Sequence, residues 1–211
     1  MPLQKAFLET EECILSGEKP SQGLQVLAEQ PWFGAFPFSM LLEQQKTEQS
    51  PVHHPEGNVW VHTLLVVDEA AKRKQYSTDP REFMWAALLH DIGKPQTTKV
   101  RKGRITAYDH DRKGAELAHA FLSALTGEED FIKRVVWLVR YHMQILYVAK
   151  SLPFMDIEGM KAHTDIRDVA LLGYCDRLGR TGVDAAAERR AVTVFLQKCR
   201  ETTDLPWLAS Q

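Results

Sequence analysis

The sequence predicts an all-α helical bundle with one small β-hairpin and short N-terminal helices. Apolar residues recur at helical spacing through most of the chain, and capping residues with Gly or Pro stops bracket those stretches. One segment departs from this pattern. Val100 and Ile105 flank Arg101-Lys102-Gly103-Arg104 in a Thr-rich surrounding, as in a hairpin. With 211 residues, 44% of them hydrophobic and 26% charged, the chain can bury a full core.

Residues 3–15 and 21–30 predict two short helices, the second capped by Ser21, with Gly17 and Pro31 as their stops. Residues 32–38 (WFGAFPF) predict a packed aromatic turn, and 39–48 a further helix. The prolines and glycine of 50–57 predict a loop. Asn58 then caps an apolar helix running to Gln75. Pro80 opens a helix that ends at Asp91, where Ile92-Gly93-Lys94-Pro95 stops it. After the hairpin, Asp111 is expected to cap a helix reaching Ala124. Residues 128–143 predict another, with Val135, Leu138, Val139 and His142 on one stripe. Thr164 is expected to cap residues 165–179, and Val183 to Glu201 to form the last helix.

Composition narrows the function classes. Lys+Arg 26 against Asp+Glu 28 gives a net charge of -2, without the global basic footprint of a general nucleic-acid binder. Apolar stretches such as Met84 to Leu89 are too short to cross a bilayer, so no membrane partner is expected. Glu9, Glu11 and Glu12 fall where a signal peptide needs its apolar region. Cys13, Cys175 and Cys199 form no C-x-x-C pair, which argues against a disulfide framework and a thiolate zinc site. The expected location is the cytoplasm.

Several ionisable residues lie on apolar helix faces. His62 shares a face with Val59, Leu65 and Val66, His90 with Ala86 and Ala87, His142 with Leu138 and Val139, and Asp176 with Val169, Leu172 and Gly173. A lone His in such a place is ordinarily a core histidine bonded to a backbone carbonyl. Inward aspartates are harder to explain, because an unpaired buried carboxylate is costly. A divalent cation held by neutral imidazoles and carboxylates would neutralise the set.

The spacing His62…His90-Asp91…Asp176 resembles the H…HD…D signature of the HD-domain superfamily of metal-dependent phosphohydrolases, and His90-Asp91-Ile92-Gly93-Lys94 resembles its HDIGK variant. Residues 53–64 (HHPEGNVWVHTL), 108–116 (YDHDRKGAE) and 175–180 (CDRLGR) resemble segments of the HD domain in bacterial CCA-adding tRNA nucleotidyltransferases. The likeness covers residues 50–200. It implies an HD domain over 50–211 preceded by an N-terminal helical appendage over 1–49. It implies the helical bundle already read from the pattern, with His62, His90, Asp91 and Asp176 as the core metal ligands. His110 and His142 stand where a second ion would need them, with Asp91 bridging. The cofactor is then one or two divalent ions, Mn, Fe, Co, Ni, Zn or Mg. The nucleotidyltransferase domain that precedes the HD region in those enzymes has no motif among residues 1–49, so nucleotide polymerisation is not expected of this chain.

The activity implied is hydrolysis of a phosphomonoester or phosphodiester, a nucleotide being the expected substrate, through a metal-activated water. Asp91 and Lys94 are the catalytic candidates. Lys94, Arg112, Lys113 and the hairpin cations Arg101, Lys102 and Arg104 are candidates for holding an anionic substrate, against the plainer reading of solvated charges. Arg177 is expected to orient Asp176 from the next position. His53, His54, His119 and His163 read as histidines without a role. Two other classes stay open: a metal-containing module that binds RNA or a partner without catalysis, and a di-iron oxygenase.

Overall fold

The structure, a computed structural model, describes residues 3–209. It is a helical bundle with a single two-stranded hairpin among the described residues. Helices α1 (Leu3–Ser16) and α2 (Pro20–Ala28) pack on each other, and an aromatic turn and the short α3 (Ser39–Leu42) follow. Asn58 caps α4 (Val59–Ala71) by accepting from the Val61 N–H at 3.0 Å. Asp79 caps α5 (Pro80–Leu89), accepting from the N–H groups of Arg81 and Glu82, with Pro80 at the first position.

Helix α5 is the centre of the fold. Every residue from Glu82 to Lys94 is buried, which explains an apolar run that looks unpatterned in sequence. Packed against it are α1, α4, α8 (Glu129–Tyr141) and α11 (Ile166–Leu178). Helix α6 (Lys94–Thr97) leads into β1 (Lys99–Arg101) and β2 (Arg104–Thr106), antiparallel with Val100 opposite Ile105. The turn residues Lys102 and Gly103 both have positive φ, 49° and 72°, as a tight two-residue hairpin requires. Helix α7 (His110–Ser123) lies along α8, and α12 (Ala185–Lys198) covers α11 and α9 (Gln144–Ala149); α10 (Ile157–His163) touches α8.

Several expected boundaries move because a capping side chain is used elsewhere. Ser21 does not cap α2; its N–H and hydroxyl both donate to Asp68, at 2.9 and 2.7 Å, tying α2 to α4. Asp111 lies inside the first turn of α7, ion-paired with Arg140 at 2.6 Å, and Asp109 precedes the helix in a left-handed conformation. Asp165, not Thr164, caps α11 through the Arg167 N–H. The sequence reading left α9 and α10 unassigned.

The core is continuous from end to end. Phe7 stacks on Trp85 at 5.1 Å, Phe33 meets Trp60 at 6.3 Å, and Phe38 meets Phe121 edge-on at 5.2 Å. The aromatic segment 32–38 therefore packs the N-terminal helices onto α4 and α7. No described helix is long and apolar enough to cross a membrane.

Candidate metal centre

Five helices deliver one cluster. His62 comes from the first turns of α4, His90 and Asp91 from the end of α5, His110 from the start of α7, His142 from the end of α8, and Asp176 from the last turn of α11. All six are buried. Asp91 sits in the middle. Its Oδ2 lies 3.2 Å from His90 Nε2 and 3.8 Å from His62 Nε2, and its Oδ1 lies 3.5 Å from His110 Nε2 and 3.9 Å from His142 Nε2. His62 Nε2 also meets Asp176 Oδ1 at 3.0 Å.

Local structure fixes the proton on three of these rings. His90 Nδ1 is 2.8 Å from the Ala87 carbonyl, His110 Nδ1 is 2.7 Å from that of Ala107, and His142 Nδ1 is 2.7 Å from that of Val139. A carbonyl only accepts, so each Nδ1 donates and each neutral ring turns its Nε2 lone pair inward. The consequence is electrostatic. His110 Nε2 and His142 Nε2 face each other at 3.2 Å, His90 Nε2 is buried without a hydrogen bond, and Asp91 Oδ2 has the Lys94 ammonium as its ion-pair partner at 2.7 Å. Lone pairs converging on a buried carboxylate make a natural seat for a cation. Two overlapping groups, His62/His90/Asp91 and Asp91/His110/His142, have their donor atoms close enough to hold an ion, and Asp91 belongs to both. The residues present fit a divalent metal.

The titration behaviour follows from the same geometry. Burial opposes charge on Asp91, yet Lys94 and His90 hold its carboxyl well below the usual carboxylate range. Burial likewise opposes charge on Asp176, and Arg180 and His62 hold it well below. His90 also loses by burial, but the Asp91 carboxylate brings its pKa above the ordinary value. Burial pushes His110 down, and burial with the neighbouring His110 pushes His142 down to about 4.

Lys94 is not a solvated cap. It is buried, 2.7 Å from Asp91 Oδ2 and 2.5 Å from Gln49 Oε1. Arg177 does not reach Asp176; it pairs with Glu188 at 2.5 Å, across to α12. Adjacent helix positions point about 100° apart, whereas Arg180, one turn on, shares the face and stands 3.3 Å from Asp176 Oδ1. Lys113 pairs with Glu116 of its own helix at 2.8 Å, and Arg112 is exposed. The hairpin residues that line the cleft over Asp91 are Ile105, Thr106 and Ala107; Arg101, Lys102 and Arg104 stand on its exposed strands and turn.

Besides Arg180, the sequence pattern does not point to three further contributors. Glu56 Oε1 lies 2.9 Å from both His62 Nδ1 and His54 Nδ1. The two imidazoles outweigh burial and bring its carboxyl to about 2. His54 lines the cleft, edge-on to His62, and burial with Lys94 nearby lowers it to about 4. Gln49 reaches the same cleft from the N-terminal part. Residues 53–64 held a signal for the first two, but a loop offers no periodicity to give it direction.

Comparison with known proteins gives the family. Residues 59–180 match the HD domain. The chain is 31% identical over 155 residues to a multifunctional CCA protein of Actinobacillus pleuropneumoniae, covering 71% of this chain and 36% of that protein. It is 34% identical over 143 residues to one of Aromatoleum aromaticum, covering 64% of this chain and 33% of that protein. It is 33% identical over 141 residues to the CC-adding tRNA nucleotidyltransferase of Thermus thermophilus, covering 66% and 31%. The chain thus spans about a third of the length of these relatives. The match over 59–180, which takes in all six cluster residues, means that this chain belongs to the HD-domain family.

Proposed function

We propose that the protein is a metal-dependent phosphohydrolase acting on a phosphomonoester or phosphodiester, with a nucleotide as substrate. The observation that carries this is Asp91, a buried carboxylate facing the Nε2 atoms of four histidines, beside a buried lysine at the floor of an open cleft. His62, His90, Asp91 and Asp176 would hold one divalent ion, and His110 and His142 with Asp91 a second. Such an ion lowers the pKa of a bound water and polarises a phosphoryl oxygen.

The chain's own groups do the rest. The carbonyls of Ala87, Ala107 and Val139 hold the Nδ1 proton of three rings and aim their Nε2 atoms inward. Arg180 and His62 keep Asp176 ionised. The Lys94 ammonium faces the cleft and balances charge on a phosphate entering it. Arg112 and the exposed hairpin cations Arg101, Lys102 and Arg104 draw an anion from further out, within a Debye length of roughly 8 Å.

The test couples metal analysis to a screen of phosphate esters. Purified protein is expected to carry divalent metal and to release phosphate from nucleotides with added Mn, Co, Ni or Mg. Asp91→Ala should lose metal and activity together. A variant that keeps full metal occupancy would overturn the ligand assignment. Metal-loaded wild type that releases nothing from nucleotides, cyclic nucleotides or generic esters would favour a binding module.

A further inference from the structure

The cleft over Asp91 holds about 170 Å³. That accommodates a phosphate, but it is below the roughly 300–1,000 Å³ of sites that enclose a whole small ligand. The remainder of a nucleotide substrate must therefore lie outside. One wall of this cleft contains Ala107 and His110. The same stretch of chain lends Tyr108, Asp109, Asp111 and Arg112 to a second cleft of about 370 Å³, which Arg101, Arg140, Tyr147 and Phe154 complete.

The second cleft is built in an unusual way. Tyr108 is 61% exposed and Phe154 is 65% exposed, large rings left to solvent at the rim of one cavity. Neither is loosely placed. The Arg101 guanidinium lies over the Tyr108 ring at 4.6 Å. Buried Gln144 grips the Phe154 loop, donating to the Phe154 carbonyl at 3.2 Å and accepting from the Asp156 N–H at 2.8 Å. Tyr147 backs the Phe154 ring at 5.6 Å. Arg140 is already paired with Asp111, so Arg101 and Arg112 set against Asp109 leave one net positive charge at the rim.

Exposed rings on fixed supports, with guanidinium groups beside them, are suited to stacking bases while cations meet the backbone. A duplex keeps its base faces covered and cannot use such a surface. We propose that this cleft stacks the base of a nucleotide adjoining the one whose phosphate lies at Asp91. A single-stranded oligonucleotide end is then preferred as substrate over a free mononucleotide. This rests on the phosphohydrolase reading for the chemistry at Asp91, but the binding it asserts needs no metal.

The test is fluorescence anisotropy of a labelled oligoadenylate, with the full chain, in EDTA. The double variant Tyr108→Ala/Phe154→Ala should bind at least about tenfold more weakly than wild type, as expected for two lost stacking partners. Tyr108→Phe, which keeps the ring, should bind like wild type. The same backbone without bases should bind wild type no better than the double variant binds the oligoadenylate. Equal affinity of wild type and the double variant, or equal affinity for the baseless strand, would overturn the proposal. Base-dependent binding with no ester hydrolysis would count against the phosphohydrolase reading alone. Mononucleotide hydrolysis without base-dependent binding would count against this proposal alone.

Discussion

Lys94 and a metal ion held by the cluster would compete for one carboxylate, Asp91. In the structure the ammonium is the counter-ion of Asp91, at 2.7 Å, and holds it ionised against burial. A cation bound by the surrounding Nε2 atoms would take over that neutralising role and free Lys94 to face the substrate. Lys94→Met, which keeps the aliphatic stem, should leave metal content equal to or above that of wild type while lowering kcat by roughly 10²–10³-fold, the scale for loss of one group that stabilises transition-state charge. Metal analysis with initial rates on a nucleotide substrate checks both. A fall in metal content, or a near-normal kcat, would return Lys94 to a structural role. At this scale the sequence was informative where a helix gave direction. His62, His90, His142 and Asp176 sat on apolar stripes, and all are buried. Glu56, His54 and Gln49 lie outside the long helices, where no period tells which way a side chain points. Arg180 was passed over for Arg177 although its i+4 spacing from Asp176 was the geometric signal.

Two glycines bring the elements of the centre together. Gly93 ends the turn after α5, and Gly114 lies one turn into α7; the two backbones pass so close that no Cβ fits between them at Gly93, which sets His90 and Asp91 against His110. Gly93 has an ordinary negative φ, so its need is space and not conformation. A methyl there would collide with the His110 carbonyl and come within 2.6 Å of the Gly114 nitrogen, both backbone atoms that cannot give way alone. At Gly114 the nearest atom is a Val139 methyl at 3.3 Å, which can shift. Gly93→Ala should therefore cost about 1–3 kcal/mol or more and loosen metal binding, and Gly114→Ala should cost less. Melting temperatures with metal content decide this; equal losses, or none at Gly93, would show that α5 and α7 are held apart by something else. Other long elements are legible in the pattern, α4 and α8 by their stripes and α5 by its apolar run between Pro80 and Gly93. Helices α9 and α10 have six and seven residues, too few for a period to emerge, and tertiary contacts hold them. Caps were misjudged where a longer-range partner outbid the local N–H: Asp68 for Ser21, Arg140 for Asp111.

For the whole molecule the question is whether residues 1–49 are an appendage or part of one cooperative unit. The family match begins at 59, so their role rests on packing. Phe38 is fully buried with its ring against Trp32, Phe33 and Phe121, joining the N-terminal aromatic turn to α7. Phe7 joins α1 to Trp85 of α5 in the same way, and the Arg81 guanidinium bonds Glu11 at 2.7 Å. Gln49 then carries the connection to Lys94 and the metal centre. A core so shared has no internal boundary at which one part can melt first. Phe38→Ala should remove about 3–5 kcal/mol. In a chain of this size that lowers the melting temperature by roughly 6–20 °C. The transition should stay single, and bound metal should be released within it, as followed by calorimetry alongside a metal-sensitive dye. Two separated transitions, with metal retained through the first, would make residues 1–49 an independent appendage and leave the centre to the HD region alone.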